Sequence, residues 1–347
     1  MPDIISPLAP QIADLVANSR NILVNIHVGA DYDSLGSAVG LKYILENLGK
    51  KVDLYSPEDI DSEIRQNSDS LFGSPSIISG KFYDLDFKKY DLFFCLDSEN
   101  LFRISRFENI TLPLPVKTVV IDHHPHNQGF GDINLIVPGN TCTSELVYKL
   151  SQANNWHIPK QAAVCLFVGL WSDTGQFMYP GTTTADSHRT AAGLIDLGEI
   201  DSPKLIWSLR RTDDRALKSA GIALSRSELF FSNQVIFVDI EFTDLEKTGL
   251  DPSFMGSVKE FIAHNLSYTT RPSIIAIVYQ KGDNWYKISF RSNNLSNLKD
   301  ISLIARKFPG GGGHPRAAGA DVQMSLADAK KLVLEKIQET YPDLGEP

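Results

Sequence analysis

Histidine and aspartate side chains recur in this sequence directly after short apolar runs. The first group follows the run "ILVNI" at residues 22–26. It consists of His27, Asp31 and Asp33, which lie in the stretch "NIHVGADYDSLGSAVG" at residues 25–40. Carboxylates crowded at the end of a strand repel one another unless a cation lies between them. Residues of the same kind follow three later apolar runs: Asp97 in "FFCLDSEN", Asp122, His123 and His124 in "VVIDHHPHN", and Asp173 in "GLWSDTGQF".

Together these side chains have the composition of a divalent-metal site. Imidazole nitrogens and carboxylate oxygens are common ligands of divalent cations in proteins. Two imidazoles and four carboxylates from this set would suit a binuclear site, because four aspartates balance the charge of two divalent ions. A D-x-D alone could instead be a turn or a helix cap, and a lone Asp-His-His could be a solvated turn. All four groups in one chain favour catalysis over those alternatives.

The elements that must position these residues alternate along the first half of the chain. Apolar runs predict strands at 21–28, 50–57, 90–98 and 116–124, and helical patterns lie at 35–49, 143–155 and 159–174. Strands that alternate with helices indicate a mostly parallel sheet, and ligands of such sheets bind at the carboxyl ends of strands. The sequence therefore predicts an α/β fold that gathers the candidate residues at one edge of a sheet.

The second half of the chain has a different pattern. Residues 184–227 are polar with helical periodicity, and β-rich runs follow at 234–242, 272–280 and 285–292. We expect a metal-binding catalytic domain at 1–183, a helical linker at 184–227 and a smaller C-terminal α/β domain at 228–347.

A glycine run and an arginine are the candidate binding residues of the second domain. The stretch "KFPGGGGHPRAAGA" (307–320) places four glycines before His314, and a helix start is predicted there. Successive N–H groups of such a run can bind an anion. Arg291 lies near the end of an apolar strand and suits a bidentate phosphate contact. The alternatives are a flexible surface loop and a solvated arginine.

Composition excludes several classes of protein. A length of 347 residues predicts two domains, and a net charge of -9 argues against a protein that coats long nucleic acid. The three cysteines form no close pair, which speaks against a disulfide framework or a zinc ribbon and favours a reducing cytoplasmic location. No secretory signal pattern and no apolar stretch near the roughly 20 residues of a membrane span is present in the sequence.

These motifs resemble the DHH phosphoesterase superfamily, which is named for its Asp-His-His motif. The first domain matches in "HVGADYDSLGS", "LDS", "DHH" and "SDTG", in that order, and the glycine run with His314 matches the signature of the C-terminal DHH-associated domain. The resemblance covers nearly the whole chain and points to the NrnA-type branch. The first motif departs from the common "PDGDA" form, because Tyr32 stands between the two aspartates; both carboxylates are kept, and only fine substrate preference is affected.

The resemblance implies a role for each metal-binding position. One ion would be held by His27, Asp31 and Asp97, and the other by Asp33, Asp97, His123 and Asp173. Asp97 would bridge the two ions. Mn²⁺ is the first choice for such mixed ligands, and Mg²⁺ or Co²⁺ are compatible with them.

The resemblance also implies catalytic and substrate-binding roles. His124 would face the substrate phosphate, and Asp122 would orient the adjacent histidine. The substrate would be bound in the second domain by Arg291, Gly310, Gly311, Gly312, Gly313 and His314. For Arg103 and Arg106, which follow the second motif, an exposed position is favoured over a phosphate contact.

The implied activity is hydrolysis of short oligonucleotides, of 3′-phosphoadenosine 5′-phosphate, or of both, by a water that two metal ions activate. The partners would be short RNA or DNA or a nucleotide bisphosphate, without long duplex nucleic acid or membrane, and the resemblance suggests a homodimer. The alternatives are a linear or cyclic dinucleotide phosphodiesterase, a RecJ-like single-strand exonuclease, a type II inorganic pyrophosphatase and a non-catalytic nucleotide-binding sensor.

Overall fold

The computed structural model describes residues 4–60, 62–105, 109–112, 114–179, 181–211, 213–293 and 299–345. The chain divides into two compact units, Met1–Leu209 (unit 1) and Arg210–Pro347 (unit 2). Within the described residues, every helix is too short or too polar to cross a membrane.

Unit 1 contains a sheet of six strands in which every pairing is parallel. Its strands are β1 (Asn21–Asn25), β2 (Lys51–Ser56), β3 (Ile77–Ser79), β4 (Leu92–Leu96), β5 (Lys117–Asp122) and β6 (Ile133–Ile136). Their order across the sheet is β3-β2-β1-β4-β5-β6. The central strands are apolar on both faces, because both faces of a parallel sheet are covered. In β1, for example, Ile22 and Val24 belong to the larger core, whereas Leu23 packs into a second core on the opposite face.

Seven helices accompany this sheet in the described part of the chain. They are α1 (Ile5–Asn18), α2 (Tyr32–Asn47), α3 (Ser62–Phe72), α4 (Thr143–Ala153), α5 (Lys160–Asp173), α6 (Ala185–Gly198) and α7 (Ser202–Arg210), the last of which crosses the unit boundary. Glycines let α2 and α5 pack closely: a Cβ on Gly36 of α2 would lie 2.5 Å from the Cys165 carbonyl oxygen of α5. This close packing brings the aspartates that begin α2 next to the aspartate that ends α5.

Unit 2 contains a second, mixed sheet of six strands. Its strands are β7 (Glu228–Phe230), β8 (Val235–Ile240), β9 (Ile274–Gly282), β10 (Trp285–Ser292), β11 (Gly312–His314) and β12 (Ala317–Gln323). The order is β11-β12-β10-β9-β8-β7, with β8 and β9 parallel and the other pairs antiparallel.

The helices of unit 2 help to form two cores that share β9. They are α8 (Asp214–Ser225), α9 (Phe242–Glu246), α10 (Met255–Leu266), α11 (Ser302–Ala305) and α12 (Leu326–Thr340). Alternate residues of β9 point to opposite faces, so Ala276 packs with residues of α11 and α12, whereas Ile277 packs with residues of α8 and α10.

The structure confirms the predicted α/β class, with a parallel sheet in the first half and a second sheet in the last part of the chain. The helix start predicted at the glycine run is wrong, because β11 begins at Gly312 and a short turn leads into β12. The small residues of β12 pair with β10 one by one, and this ladder takes up the backbone hydrogen bonds that a helix would have made.

The unit boundary falls within residues 184–227, the stretch assigned to a linker. Its helices divide between the units, since α6 packs against α5, and α8 packs against α9 and α10. The domain limits derived from the sequence stay a prediction.

Candidate metal centre and substrate-binding residues

Three adjacent strands of unit 1 bring the first candidate residues together. β1, β4 and β5 are neighbours and parallel, so their carboxyl ends lie at one edge of the sheet. His27 follows β1, Asp97 directly follows β4, and His123 directly follows β5. Asp97 Oδ2 lies 3.2 Å from His27 Nε2, and Asp97 Oδ1 lies 3.4 Å from His123 Nε2. The carboxylate of Asp97 therefore presents one oxygen to each histidine.

The backbone of Asp97 is unusual as well. Its φ of 52° lies in the left-handed region, which costs a non-glycine residue about 1–2 kcal/mol. Its amide donates to the Ile121 carbonyl oxygen at 3.0 Å, which extends the β4–β5 pairing by one residue. Strained backbone of this kind is concentrated at functional sites.

The first motif supplies a histidine and a helix cap. The His27 Nδ1 lies 3.0 Å from the Val28 carbonyl oxygen, to which it can donate, and Nε2 faces Asp97. Asp31 is the N-cap of α2: its Oδ1 accepts from the Ser34 amide at 2.9 Å, and its Oδ2 lies 3.6 Å from His27 Nε2. Helix capping and metal binding are therefore compatible at Asp31, since each uses a different oxygen.

The remaining aspartates come from two helices. Asp33, in the first turn of α2, is fully buried and accepts hydrogen bonds from the amides of Thr143 (2.7 Å) and Ser144 (2.9 Å) at the start of α4. Asp173, the last residue of α5, places Oδ2 3.4 Å from His123 Nε2. The structure thus brings all six predicted ligand residues into one neighbourhood.

Within that neighbourhood, two groups offer donor atoms that all lie within 4.8 Å of one another. One group is His27, Asp31 and Asp97, and the other is Asp33, Asp97 and His123. Asp97 belongs to both groups. A shared carboxylate between two groups of donors is the arrangement that a bridging ligand requires.

The pKa shifts of the candidate ligands are those expected at a binding site for cations. Burial and the charge of Asp97 raise the pKa of Asp33 to about 7, and burial and the charge of Asp33 raise the pKa of Asp173 well above its usual value. Burial and Arg103 oppose protonation of His27, yet Asp31 and Asp97 outweigh them and raise its pKa to about 9.

His27, Asp33 and Asp173 thus bind protons more readily than usual, and a divalent cation would compete with these protons on binding. The site combines carboxylate oxygens and imidazole nitrogens that lie within a few ångströms of one another and carry excess negative charge. Donors of this kind suit divalent ions.

His124 has a different environment from His123. Its Nδ1 lies 2.7 Å from Asp122 Oδ1, while the other oxygen of Asp122 accepts from Asn127 Nδ2 at 2.7 Å. The Nδ1 of His123 lies 3.3 Å from the Asn140 carbonyl oxygen. The imidazole that Asp122 orients is therefore that of His124, two residues along the chain, and Asn140 is a partner of His123 that the sequence did not suggest.

Arg103 is less exposed than the sequence suggested. The residue ends a short 3₁₀ helix, Leu101–Arg103, and is half-buried with its Nη2 2.7 Å from His27 Nε2. The Val28 amide donates to the Arg103 carbonyl oxygen at 2.7 Å, which ties this short helix to the first motif. Arg106 lies outside the described residues.

In unit 2, strand register places Arg291 and His314 on one face of the sheet. Arg291 lies opposite Ala317, and Ala317 lies opposite His314. Residues directly opposite each other share a face, so the two side chains flank the methyl group of Ala317 about 10 Å apart. The Arg291 Nη1 donates to Ser289 Oγ at 2.9 Å, and its Nη2 lies 3.6 Å from Glu260 Oε1.

The glycine run forms the turn and the edge strand beside these residues. A Cβ on Gly311 would overlap the Ala305 carbonyl oxygen, and Gly313 combines a φ of +131° with a Cβ position 2.6 Å from the Ala317 carbonyl oxygen. Gly310 also has a positive φ, of 68°, whereas Gly312 leaves open space where a side chain would be. Glycine is thus required by local geometry at 311 and 313 and is favoured at 310.

Comparison with known proteins supports both domains. Residues 21–170 match the model of the DHH family N-terminal domain, and residues 249–341 match the model of the DHHA1 domain. The chain therefore contains a DHH N-terminal domain followed by a DHHA1 domain, which confirms the resemblance stated from the motifs.

Proteins of similar sequence indicate which kind of DHH protein this chain resembles. The bifunctional oligoribonuclease and PAP phosphatase NrnA of Bacillus subtilis is 27% identical, over 90% of this chain and 95% of that protein. The protein of the same name from Thermus thermophilus is 25% identical, over 93% of this chain and 91% of that protein. The fold is also that of an exopolyphosphatase-related protein from Bacteroides fragilis, with a TM-score of 0.82, 21% identity and 99% coverage of both chains.

Proposed function

We propose that this chain is a metal-dependent phosphoesterase that hydrolyses short oligonucleotides, 3′-phosphoadenosine 5′-phosphate, or both. The observation that carries this proposal is the position of the Asp97 carboxylate, which belongs to two groups of histidine and aspartate side chains whose donor atoms lie within 4.8 Å of one another. The substrate class is supported by relatives that are named as bifunctional oligoribonuclease and PAP phosphatase and that match nearly the whole chain.

We infer that the site holds two divalent cations, with Mn²⁺ as the first choice. His27, Asp31 and Asp97 would hold one, and Asp33, Asp97, His123 and Asp173 the other. When bound, such ions act as Lewis acids on the phosphoryl group and lower the pKa of the attacking water. The Val28 carbonyl and the amides of α4 would hold His27 and Asp33 in place for them.

Two side chains of unit 1 are assigned to the substrate phosphate. The Asp122 carboxylate fixes the His124 ring through Nδ1, so that Nε2 is the atom assigned to a phosphoryl oxygen. Arg103 carries a fixed positive charge beside His27 and would meet the phosphate bound there. Both residues stabilise charge that grows on the non-bridging oxygens as the ester bond breaks.

Unit 2 would bind the part of the substrate that does not react. Arg291, His314 and the backbone of Gly310, Gly311, Gly312 and Gly313 are assigned to a second phosphate or to a nucleotide. Glu260 lies 3.6 Å from the guanidinium of Arg291, so a bound phosphate would have to compete with this carboxylate. Such competition favours doubly charged terminal phosphates over singly charged diesters.

A panel of substrates tests the proposal. Wild-type chain with Mn²⁺ is offered 3′-phosphoadenosine 5′-phosphate, oligoribonucleotides of graded length, linear and cyclic dinucleotides, and pyrophosphate, and an Asp97→Asn variant serves as the control. We expect Mn²⁺-dependent release of phosphate from the bisphosphonucleotide or of mononucleotides from short RNA. Turnover of pyrophosphate alone would indicate a pyrophosphatase, and binding without turnover of any compound would indicate a sensor.

A homodimer and a cytoplasmic location are the remaining parts of the proposal. Light scattering of the purified chain tests the first, since a dimer has twice the mass of 38.4 kDa. Fractionation of cells that express the tagged chain tests the second.

A further inference from the structure

We propose that Thr143, the first residue of α4, is a positioning residue that fixes the carboxylate of Asp97 for metal binding. The inference rests on the proposed function, since it concerns the same site. No motif in the sequence pointed to this residue.

Thr143 contacts two of the candidate ligands at once. Its hydroxyl Oγ1 donates to Asp97 Oδ1 at 3.0 Å, and its backbone amide donates to Asp33 Oδ2 at 2.7 Å. The residue is fully buried. Asp97 follows β4 and Asp33 lies in α2, so Thr143 joins side chains that come from two distant parts of the chain.

The hydroxyl contact determines how the Asp97 carboxylate is rotated. A carboxylate can turn through a broad range about its last torsion angle, and only one range places Oδ1 towards His123 and Oδ2 towards His27. The hydrogen bond from Thr143 holds Oδ1 on the His123 side. Each carboxylate oxygen can accept more than one interaction, so this bond leaves Oδ1 able to bind a cation.

The backbone contact to Asp33 is separable from the hydroxyl contact. The Thr143 and Ser144 amides are among the first N–H groups of α4, which lack partners within the helix, and the Asp33 carboxylate satisfies both. A side-chain substitution at position 143 keeps these amides. Thr143→Val therefore removes the hydroxyl contact to Asp97 with little change in shape.

Thr141, two residues before Thr143, offers a matched control. It is buried like Thr143, and its Oγ1 donates to the Thr182 carbonyl oxygen at 3.0 Å. Thr141→Val therefore loses a buried hydroxyl hydrogen bond that involves no carboxylate. The two valine variants should lose similar amounts of stability, and they should differ in metal binding.

The experiment measures Mn²⁺ binding by calorimetry, and kcat and KM at saturating Mn²⁺, for wild type, Thr143→Val, Thr143→Ser and Thr141→Val. For Thr143→Val we expect Mn²⁺ affinity to fall by about 10- to 100-fold, as for other residues that orient metal ligands. We also expect a lower kcat with an unchanged KM. Thr143→Ser keeps a hydroxyl and should restore the wild-type affinity, and Thr141→Val should bind Mn²⁺ as the wild type does.

Wild-type Mn²⁺ affinity in Thr143→Val would overturn the inference, and so would an equal loss in Thr141→Val. If Thr143→Val does not fold, Thr143→Ala removes the hydroxyl with less bulk; failure of both to fold would make Thr143 a residue of the fold and refute the positioning role. A wild-type chain that neither binds Mn²⁺ nor hydrolyses any substrate of the panel would instead refute the proposed function itself.

Discussion

Gly169, in the middle of α5, lies against the candidate metal centre, and its replacement by alanine is a sharp test of the site. A Cβ at this position would overlap Ser144 Oγ and would lie 2.8 Å from Asp33 Oδ1. Ordinary contacts of a Cβ begin near 3.4 Å. The Asp33 oxygen must therefore move by about 0.6 Å, the difference between these two distances, unless α5 itself shifts.

This displacement should affect metal binding more than stability. Overpacking costs about 1–3 kcal/mol, and replacement of a helical glycine by alanine returns about 1 kcal/mol. The net loss of about 0–2 kcal/mol corresponds to a fall in Tm of about 0–8 °C for a unit of this size. Ligand distances at a metal site are held within about 0.2 Å, so a shift of about 0.6 Å at Asp33 should lower Mn²⁺ affinity at least about tenfold.

Gly40→Ala is the matched control, since it adds the same methyl group to the same pair of helices. Its Cβ would lie 2.7 Å from Leu166 Cδ2, a side chain that can rotate, and no carboxylate is among its nearest neighbours. Thermal unfolding and Mn²⁺ calorimetry on both variants distinguish the two effects. Wild-type Mn²⁺ affinity in Gly169→Ala, or an equal loss in Gly40→Ala, would show that the added methyl group does not act on metal binding through Asp33.

Four further predictions follow from the structure. Asp97→Asn should abolish hydrolysis at every Mn²⁺ concentration, because both groups of ligands lose a charge; turnover in excess Mn²⁺ would contradict this. Arg291→Gln should raise KM with little change in kcat in steady-state assays, whereas an unchanged KM would remove it from the substrate site. Metal affinity should fall as the pH drops from 8 to 6, because the pKa of Asp33 is raised to about 7 and its proton then competes with the cation; affinity independent of pH in calorimetry would refute this. Arg226→Ala should destabilise the chain by about 1–3 kcal/mol in urea titrations at pH 7, because it removes the two guanidinium hydrogen bonds of the buried Asp244 carboxylate. Since Arg226 lowers the pKa of Asp244 from its usual value, this loss should shrink as the pH falls below about 4.

Much of the fold followed from local patterns in the sequence. Strand β4 is a continuous apolar run and β5 contains the apolar run 119–121, and helices such as α4 and α5 begin and end within two residues of their predicted bounds. The short edge strands β3 and β6 have only three and four residues, too few to show a period, and they were not predicted.

The candidate ligands could be predicted from the sequence because most of the motifs follow strands of a parallel sheet, and the carboxyl ends of such strands converge. The contacts that orient these ligands could not be predicted from the sequence. Thr143 reaches Asp97 across 46 residues, and Arg103 reaches His27 across 76 residues. Neither pair shares a motif or a period, so only the packing of α4 and of the 3₁₀ helix against the sheet reveals them.

A crystal structure of the wild-type chain with Mn²⁺, recorded at the manganese absorption edge, would locate bound metal ions directly. We expect two anomalous peaks that share the Asp97 carboxylate, one beside His27 and Asp31 and the other beside Asp33, His123 and Asp173. Crystals saturated with Mn²⁺ that show no peak among these side chains, or one that avoids Asp97, would contradict this expectation.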